Sequence, residues 1–206
     1  MYLFIPNIVA MDFDPFKKRI SELNKLSPDQ GNILIAEPFM QDDCFKRSVV
    51  YLCENNEMGT VGFILSEKLN LQLNDLFNEP LAFDADLFMG GPVEAQNLFF
   101  LHTCKELDGA LEVKDGIFWS GDFEQLKEYM LIGKIKSHDI RFFLGYAGWD
   151  KQQLIDELTA ENWLIGSILK EELFDLDSEK IWKTQLTKMG KEQALMAKFP
   201  DDPNLN

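Results

Sequence analysis

Two aspartates and an arginine lie close together in the chain, directly before an apolar segment. Asp42, Asp43 and Arg47 fall between positions 42 and 47, and Arg47 is one of only three arginines in the sequence. An arginine in this setting can bind a carboxylate or phosphate bidentately, or it can lock its own loop through an internal salt bridge. The salt bridge is favoured, because structural ion pairs also bring such residues together. Ser48 lacks the Gly-x-Ser-x-Gly elbow, which argues against a nucleophile.

Two glycine-rich corners follow predicted strands. Gly90 and Gly91 allow backbone conformations closed to other residues, and their amides can cradle an anion. The Gly-Lys-Ser/Thr ending of a phosphate loop is missing, so a tight turn between strands is favoured. The second corner holds Tyr146 and Trp149, between a buried strand and a helix that Asp150 is predicted to cap. Trp149 can form an exposed aromatic platform for a partner or fill the end of the core, and the sequence leaves both open.

One histidine and three cysteines are the remaining candidates for chemistry. His102 ends an apolar strand, where it can act as a general base or a pH-sensitive contact, although a hydrogen-bonded structural histidine is favoured. Cys44 stands beside charged residues and is the better candidate for a reactive thiol, whereas Cys53 falls on a predicted buried strand. With Cys104, these thiols show no paired spacing and no Cys/His cluster. We therefore expect no structural zinc site and no cofactor.

The charge of the chain bears on its partners. The formal net charge is −15 at pH 7, and negative charge repels the phosphate backbone of nucleic acids. The run Lys17-Lys18-Arg19 is short and lies among acids, as in a solvated helix face. We therefore expect no direct nucleic-acid binding. No apolar run approaches a membrane span, and no basic secretory leader is evident, so we expect a cytoplasmic protein with reduced thiols.

Apolar periodicity predicts more strands than helices. The predicted strands cover residues 32–36, 48–53, 60–65, 86–89, 98–102, 111–113, 117–120, 140–144 and 163–168. Helices are predicted at residues 15–25, at 71–77 with Asn70 as cap, after the caps Asp122 and Asp150, and at 178–189. The short connections at 54–59 and 114–116 predict antiparallel hairpins.

The irregular mixture of strands and helices indicates the fold class. We predict an α+β protein, a single compact domain in which a mainly antiparallel or mixed sheet is flanked by helices. An N-terminal extension and helix at residues 1–30 precede this domain at 31–190, and a C-terminal tail at 191–206 follows it. The sequence leaves the oligomeric state open.

Three segments together resemble a known family. The Phe-x-Arg-Ser-Val pattern before an apolar strand, the Gly-Gly-Pro-Val corner and the Gly-Tyr-Ala-Gly-Trp corner are similar to motifs of the YqgE/AlgH family of bacterial proteins, also called UPF0301. The resemblance extends from about residue 31 to about residue 190. The end of the chain, with Met189-Gly190 and Asp202-Pro203, is similar to the branch found in Bacteroidetes. The resemblance implies a compact cytoplasmic domain of uncharacterised function, and some family members carry the label of putative transcriptional regulator.

These observations support a binding role over a catalytic one. The hypothetical site joins the residues of the three motifs, with Arg47 holding an anionic group, glycine amides adding hydrogen bonds and an aromatic face adding stacking. Its residues are Asp42, Arg47, Gly90, Gly91, Tyr146 and Trp149. The partner would be an unknown small anionic ligand or a protein. Two alternatives are a regulator that acts through a protein partner, and a thiol-dependent redox protein or enzyme that uses Cys44 or His102.

Overall fold

The computed structural model describes residues 24–175 and 177–198. The helix predicted at residues 15–25 lies almost wholly outside these residues, as does the end of the chain from residue 199. Ten strands are present in the described ranges. They are β1 (Asn32–Ala36), β2 (Val49–Asn56), β3 (Gly59–Ile64), β4 (Lys68–Gln72), β5 (Asp86–Met89), β6 (Val93–His102), β7 (Leu111–Lys114), β8 (Ile117–Trp119), β9 (Ile140–Trp149) and β10 (Trp163–Ser167).

Five α-helices and two short 3-10 turns accompany the strands in the same ranges. The helices are α1 (Phe123–Leu131), α2 (Lys151–Thr159), α3 (Lys170–Phe174), α4 (Ile181–Met189) and α5 (Lys191–Met196), and the 3-10 turns are Leu73–Leu76 and Ser137–Asp139. No helix in the described part of the chain combines the length and the hydropathy needed to cross a bilayer.

The strands form one sheet in the order β10-β1-β2-β3-β9-β6-β8-β7, and β4 joins it through β5. Neighbouring strands run antiparallel except β5 and β9, which are parallel. This arrangement confirms the predicted α+β class with a mainly antiparallel sheet.

Strand β9 organises the sheet because it is long enough to serve three neighbours. Its first half pairs with β5 and its second half with β3 along one edge, while β6 occupies the other edge. Gly145 interrupts the alternation of side chains with a φ of 67°. Phe143 and Tyr146 therefore face the same side of the sheet, although they are three positions apart in the chain.

Both predicted hairpins are confirmed. Strands β2 and β3 pair through Asn56 and Gly59, and β7 and β8 flank a turn in which Asp115 and Gly116 have φ values of 52° and 76°. Two consecutive left-handed residues are characteristic of a type I′ turn, whose twist matches that of the strands.

Apolar side chains cover both faces of the sheet. One face packs against α4 through Trp182 and Leu186, and the opposite face packs against α2 through Leu154. A third cluster, beneath α1, contains Leu126 and Met130. The sheet is therefore a buried central layer, which explains why its strands appear in the sequence as near-continuous apolar runs.

Three sequence predictions need correction. Asn70 and Leu71, predicted as the cap and start of a helix, belong to strand β4, because Lys68 and Gln72 pair with β5. Asp150 does lie at the N-cap of α2, but its side chain makes no capping hydrogen bond, unlike Asp122 at α1. Helices α3 and α5 were not predicted, and α5 occupies residues assigned above to the tail.

Candidate functional site

The most unusual side chain in the described structure is a buried arginine. Arg141 is the second residue of β9, opposite Leu101 of β6, and only 6% of its surface is exposed. Its guanidinium carbon lies 4.0 Å from the centroid of the Phe88 ring. Its Nη1 donates one hydrogen bond of 3.0 Å to the carbonyl oxygen of Leu173 in α3. Its Nε is buried without a hydrogen-bond partner among the described protein atoms.

The carboxylate whose charge acts on Arg141, Asp86, already has other partners. Asp86 of β5 accepts a 2.7 Å hydrogen bond from Lys68 Nζ and a 2.9 Å hydrogen bond from Gln72 Nε2. These bonds, with that from Lys68 first, lower the pKa of the Asp86 carboxyl. Burial lowers the pKa of Arg141 to about 10, and the Asp86 charge opposes that shift. Arg141 still carries its charge at neutral pH, and in the described ranges no carboxylate lies within ion-pair distance of it.

A cavity of about 330 Å³ lies beside this guanidinium, and we call it the arginine cavity. Several elements meet there: β9 and α3, the β4–β5 pair, and the 3-10 turn at Ser137–Asp139. Besides Arg141, its walls include Gln72, Asp84, Asp86, Phe88, Ser137 and Phe174. The cavity thus combines one buried cation, two carboxylates and an apolar wall, which suits a small polar ligand.

Arg47, the arginine named from the sequence, lies elsewhere. It has a left-handed backbone with a φ of 56°, and its guanidinium carbon lies 4.8 Å from the ring centroid of Trp182 in α4. The Trp182 indole is fixed by a 2.8 Å hydrogen bond from its Nε1 to the carbonyl oxygen of Ala36. Arg47 thus contacts the helical layer and does not line the arginine cavity.

Asp42 shapes the turn that precedes β2. Its Oδ1 accepts backbone hydrogen bonds from Cys44 and Phe45, at 2.8 and 3.2 Å. The same residue borders a groove of about 520 Å³ beside α2, which we call the acidic groove. Its ionisable lining residues are all carboxylates, namely Glu37, Asp42, Glu157 and Glu161.

The two glycine corners do meet, backbone against backbone. A Cβ atom placed on Gly90 would lie 2.1 Å from the carbonyl oxygen of Gly145, and one on Gly91 would lie 2.2 Å from the carbonyl carbon of Tyr146. A Cβ on Gly145 would in turn lie 2.4 Å from the carbonyl oxygen of Gly91. Contacts this close explain why side chains are absent at these positions, and they leave no space for a ligand between the two backbones.

Tyr146 and Trp149 pack on opposite faces of β9. Tyr146 meets Phe99 edge to face, with the ring centroids 5.6 Å apart. Trp149 is 4% exposed and stacks on Phe45 at 5.4 Å, while its Nε1 donates a 3.0 Å hydrogen bond to Glu157. Trp149 therefore fills the core. The two residues share only the border of a cavity of about 400 Å³.

His102 is fully buried and both ring nitrogens are engaged. Nδ1 accepts a 3.2 Å hydrogen bond from the Cys104 amide, so Nε2 carries the proton and donates to the Ser120 carbonyl at 2.8 Å. Burial lowers the pKa of His102. This geometry supports a structural histidine, because neither nitrogen is available to a substrate.

The three thiols differ in environment. Cys44 is exposed, whereas Cys53 and Cys104 are buried. Burial raises the pKa of the Cys53 thiol, aided by the charge of Glu54, and burial also raises the pKa of Cys104. The two buried thiols are therefore protonated and poorly reactive at neutral pH. Within residues 24–175 and 177–198, no group of three or more His, Cys, Asp or Glu residues is placed to hold a metal ion.

The six residues of the hypothetical site are thus distributed over different parts of the molecule. The structure brings Gly90 and Gly91 against the backbone at Tyr146, and it sets Tyr146 and Trp149 at one cavity border. Asp42 lies at the acidic groove and Arg47 against α4. A ligand site built on all six stays a prediction.

Comparison with known proteins assigns the chain. The profile of a family described as AlgH-like (DUF179) matches residues 33–194. This chain belongs to the AlgH-like family. It is 41% identical over 179 residues to a UPF0301 protein of Cytophaga hutchinsonii, covering 86% of this chain and 98% of that protein. It is 40% identical over 184 residues to a UPF0301 protein of Bacteroides fragilis, covering 89% and 94%.

Two solved structures resemble this AlgH-like chain. The solution structure of AlgH from Pseudomonas aeruginosa has a TM-score of 0.67 and 28% identity, covering 85% of this chain and 97% of that chain. A crystal structure of a Corynebacterium diphtheriae protein has a TM-score of 0.72 at 21% identity, covering 84% and 94%. At 21% identity, the similarity to the Corynebacterium diphtheriae protein concerns the fold alone. The family resemblance predicted from the sequence motifs is therefore confirmed.

Arg141 was not among the site residues predicted for this AlgH-like chain, although its place in the sequence is unusual. The segment 140–144 is Ile-Arg-Phe-Phe-Leu, and its apolar residues predict a buried strand in which Arg141 is the one charged residue. A charged residue within a central strand is expensive to bury unless it has partners. That cost makes Arg141, which lies within its strand, more informative than Arg47, which precedes its strand.

Proposed function

We propose that this AlgH-like protein is a ligand-binding module that holds a small anionic group, a carboxylate or a phosphate, on Arg141. One observation carries the proposal. Arg141, of whose surface only 6% is exposed, lines a cavity, and its guanidinium gives a single hydrogen bond to the described protein, to the carbonyl oxygen of Leu173. A guanidinium has five N–H donors in a planar fork that matches the oxygens of carboxylates and phosphates.

A purely structural role accounts for only part of this arrangement. The hydrogen bond to Leu173 and the contact with Phe88 tie Arg141 to α3 and β5. Removing a guanidinium from water is costly, and one neutral hydrogen bond offsets little of that cost. An anion in the arginine cavity would offset more, because charge-assisted bidentate bonds are the strongest that a guanidinium makes.

Isothermal titration calorimetry with acetate and with inorganic phosphate, in a low-salt buffer, tests the proposal. We expect wild-type protein to bind at least one of these probes, and Arg141→Lys to bind it at least about tenfold more weakly, because lysine lacks the bidentate fork. Arg47→Lys is the matched control, since Arg47 lies against Trp182, and it should bind like wild type.

The titration has two contradicting outcomes. Absence of binding to acetate, to phosphate and to a zwitterionic carboxylate such as L-alanine would overturn the proposal. Loss of binding in Arg47→Lys with retention in Arg141→Lys would move the site to the position first considered from the sequence. If Arg141→Lys does not fold, Ser137→Ala and Gln72→Ala change the wall of the arginine cavity near its surface. Unchanged affinity in both of these variants would then count against the proposal.

A second candidate function is regulation through a protein partner. The acidic groove favours it, because its ionisable lining residues are carboxylates and its apolar lining includes Phe45 and Trp163. Such a surface complements a peptide segment with alternating basic and apolar residues. A fluorescent Lys/Leu peptide should bind more tightly than a Glu/Leu peptide, and Asp42→Asn with Glu161→Gln should weaken that binding. Equal binding of the two peptides would reject this candidate.

A further inference from the structure

The charges around the arginine cavity define its ligand more closely. Building on the proposed anion site at Arg141, we infer that the ligand is a zwitterion, a small α-amino acid with an apolar side chain. Its carboxylate would bind the Arg141 guanidinium, and its ammonium group would bind Asp84. The inference rests on the balance of charge, on the way in which Asp84 is held, and on the apolar part of the wall.

The balance of charge disfavours a simple anion. Asp86 is neutralised by Lys68, whose Nζ lies 2.7 Å from its Oδ2. The remaining charges are one cation at the buried wall, Arg141, and one anion at the surface, Asp84. A ligand with a single negative charge would satisfy the first and be repelled by the second. A zwitterion satisfies both, which is the usual condition for electrostatic complementarity.

Asp84 is held in position although its side chain is exposed. Its Oδ1 accepts hydrogen bonds from the backbone amides of Asn74 and Ala85, at 3.1 and 2.9 Å. Its Oδ2 receives no hydrogen bond from the described residues. The carboxylate is thus fixed through one oxygen, and the second oxygen is available to an ammonium group.

The rest of the wall limits the ligand's side chain. Phe88, Ile140 and Phe174 supply apolar surface, while Gln72 is held by its bond to Asp86. A cavity of about 330 Å³ has room for a small molecule such as an amino acid. The chemistry that fits is a compact amino acid such as alanine.

Three small probes test the ligand's carboxylate and its ammonium group separately. L-alanine carries both groups, propionate lacks the ammonium group, and ethylamine lacks the carboxylate. Titration into ¹⁵N-labelled full-length protein, followed by amide chemical shifts, detects even millimolar affinity. We expect L-alanine to bind at least tenfold more tightly than propionate, and ethylamine to cause no saturable shift.

Substitution of Asp84 tests whether this residue causes the preference for L-alanine over propionate. Asp84→Asn keeps the Oδ1 acceptor for Asn74 and Ala85 but removes the charge. It should therefore abolish the preference for L-alanine while leaving propionate binding equal or stronger. Asp150→Asn, which changes a carboxylate outside the arginine cavity, is the control and should behave like wild type.

The outcomes separate this inference from the proposed function. If propionate, acetate or phosphate binds as tightly as L-alanine, the anion site stands and the zwitterion inference is wrong. If L-alanine is preferred equally by wild type and by Asp84→Asn, the assignment to Asp84 is wrong. If none of the probes causes a saturable shift, both this inference and the proposed function fail.

Discussion

At the scale of single residues, two arginines show how similar sequence surroundings lead to different environments. Arg47 and Arg141 both lie next to apolar strand-forming segments. Arg47 precedes its strand and rests on the Trp182 ring. Arg141 lies inside its strand, so the sheet buries its side chain between Phe88 and Leu173. A position within the strand, and not the neighbouring acidic residues, decides which guanidinium loses its hydration.

His102 predicts a specific pH dependence of stability. Its folded-state pKa is lowered from 6.5 because burial disfavours the imidazolium. As the pH falls below 6.5, the unfolded chain takes up a proton that the folded chain excludes until the lower folded pKa is reached. The free energy of unfolding should therefore decrease in this window, by at most about 1.4 kcal/mol per pH unit for one proton.

Chemical denaturation between pH 8 and pH 5 measures this effect. His102→Gln should remove the decrease in the free energy of unfolding with falling pH. His138→Gln, which replaces a side chain that is 72% exposed, should retain that decrease. An identical pH dependence of stability in wild type and His102→Gln would contradict the assignment of the effect to His102.

Because His102→Gln can itself destabilise the fold, NMR titration of the two wild-type imidazoles provides a second test. Titration of His102 at or above pH 6.5 would also contradict it.

The cysteines predict an order of thiol reactivity. Cys44 is exposed, and burial raises the pKa of both Cys53 and Cys104. A maleimide reagent at neutral pH should label Cys44 first, and it should label the other two at least tenfold more slowly, because only the thiolate reacts. Peptide mapping by mass spectrometry reads out each site. Fast labelling of Cys53 or Cys104 in folded protein would show that the described burial is wrong.

At the scale of elements, contact between two glycine corners sets the path of β9. A Cβ on Gly91 would lie 2.2 Å from Tyr146 backbone, whereas a Cβ on Gly133 would meet no atom within 4 Å. Gly133 has a left-handed α conformation with a φ of 70°, whereas Gly91 has a φ of 154°, so Gly91→Ala adds a steric contact to backbone strain. Gly133→Ala should cost about 1 kcal/mol in stability, and Gly91→Ala roughly 3 kcal/mol or more. Equal midpoints of urea unfolding for the two variants would contradict this.

The sequence predicted elements well where local chemistry determines them. The Asp115-Gly116 turn and the Asp122 cap each depend on contacts within a few residues, and both appear as predicted. Leu71 and Gln72 were predicted as the start of a helix but belong to β4, because their conformation depends on pairing with β5, a partner more than ten residues away. The residues that follow, Leu73–Leu76, form a 3-10 turn. The spacing of apolar residues in 71–77 carries no information about that partner.

The candidate site was less accessible to sequence reasoning for the same reason. The arginine cavity joins β9, β5, α3 and a 3-10 turn, which are far apart in the chain. Periodicity identifies the individual elements but not which of them enclose a cavity. The burial of Arg141 was foreseeable from its place in an apolar run, whereas the engagement of Asp86 by Lys68 was not.

At the scale of the whole molecule, charge limits the choice of partner. The net charge is −15, and the described surface groove beside α2 is lined by carboxylates. A gel-shift assay with a mixed double-stranded DNA at about 150 mM salt should show no complex. A complex that weakens steeply as salt rises would contradict this prediction and support direct DNA contact.

The fold as a whole holds the Arg141 side chain in place before any ligand arrives. Strand β9 pairs with three neighbours, and α3 is tied to Arg141 by the Leu173 carbonyl. A site built on a central strand is more rigid than one built on a loop, so the guanidinium needs little reorganisation to bind.

The most direct measurement is therefore the ¹⁵N–¹H signal of Arg141 Nε, recorded while acetate, inorganic phosphate or L-alanine is added to full-length wild-type protein. Arg141→Lys identifies the signal by its disappearance. We expect a saturable shift of this signal with at least one probe, because an anion bound beside the guanidinium changes the electrostatic environment of Nε. A signal that stays fixed with all three probes, or a saturable shift confined to the side chain of Arg47, would contradict it.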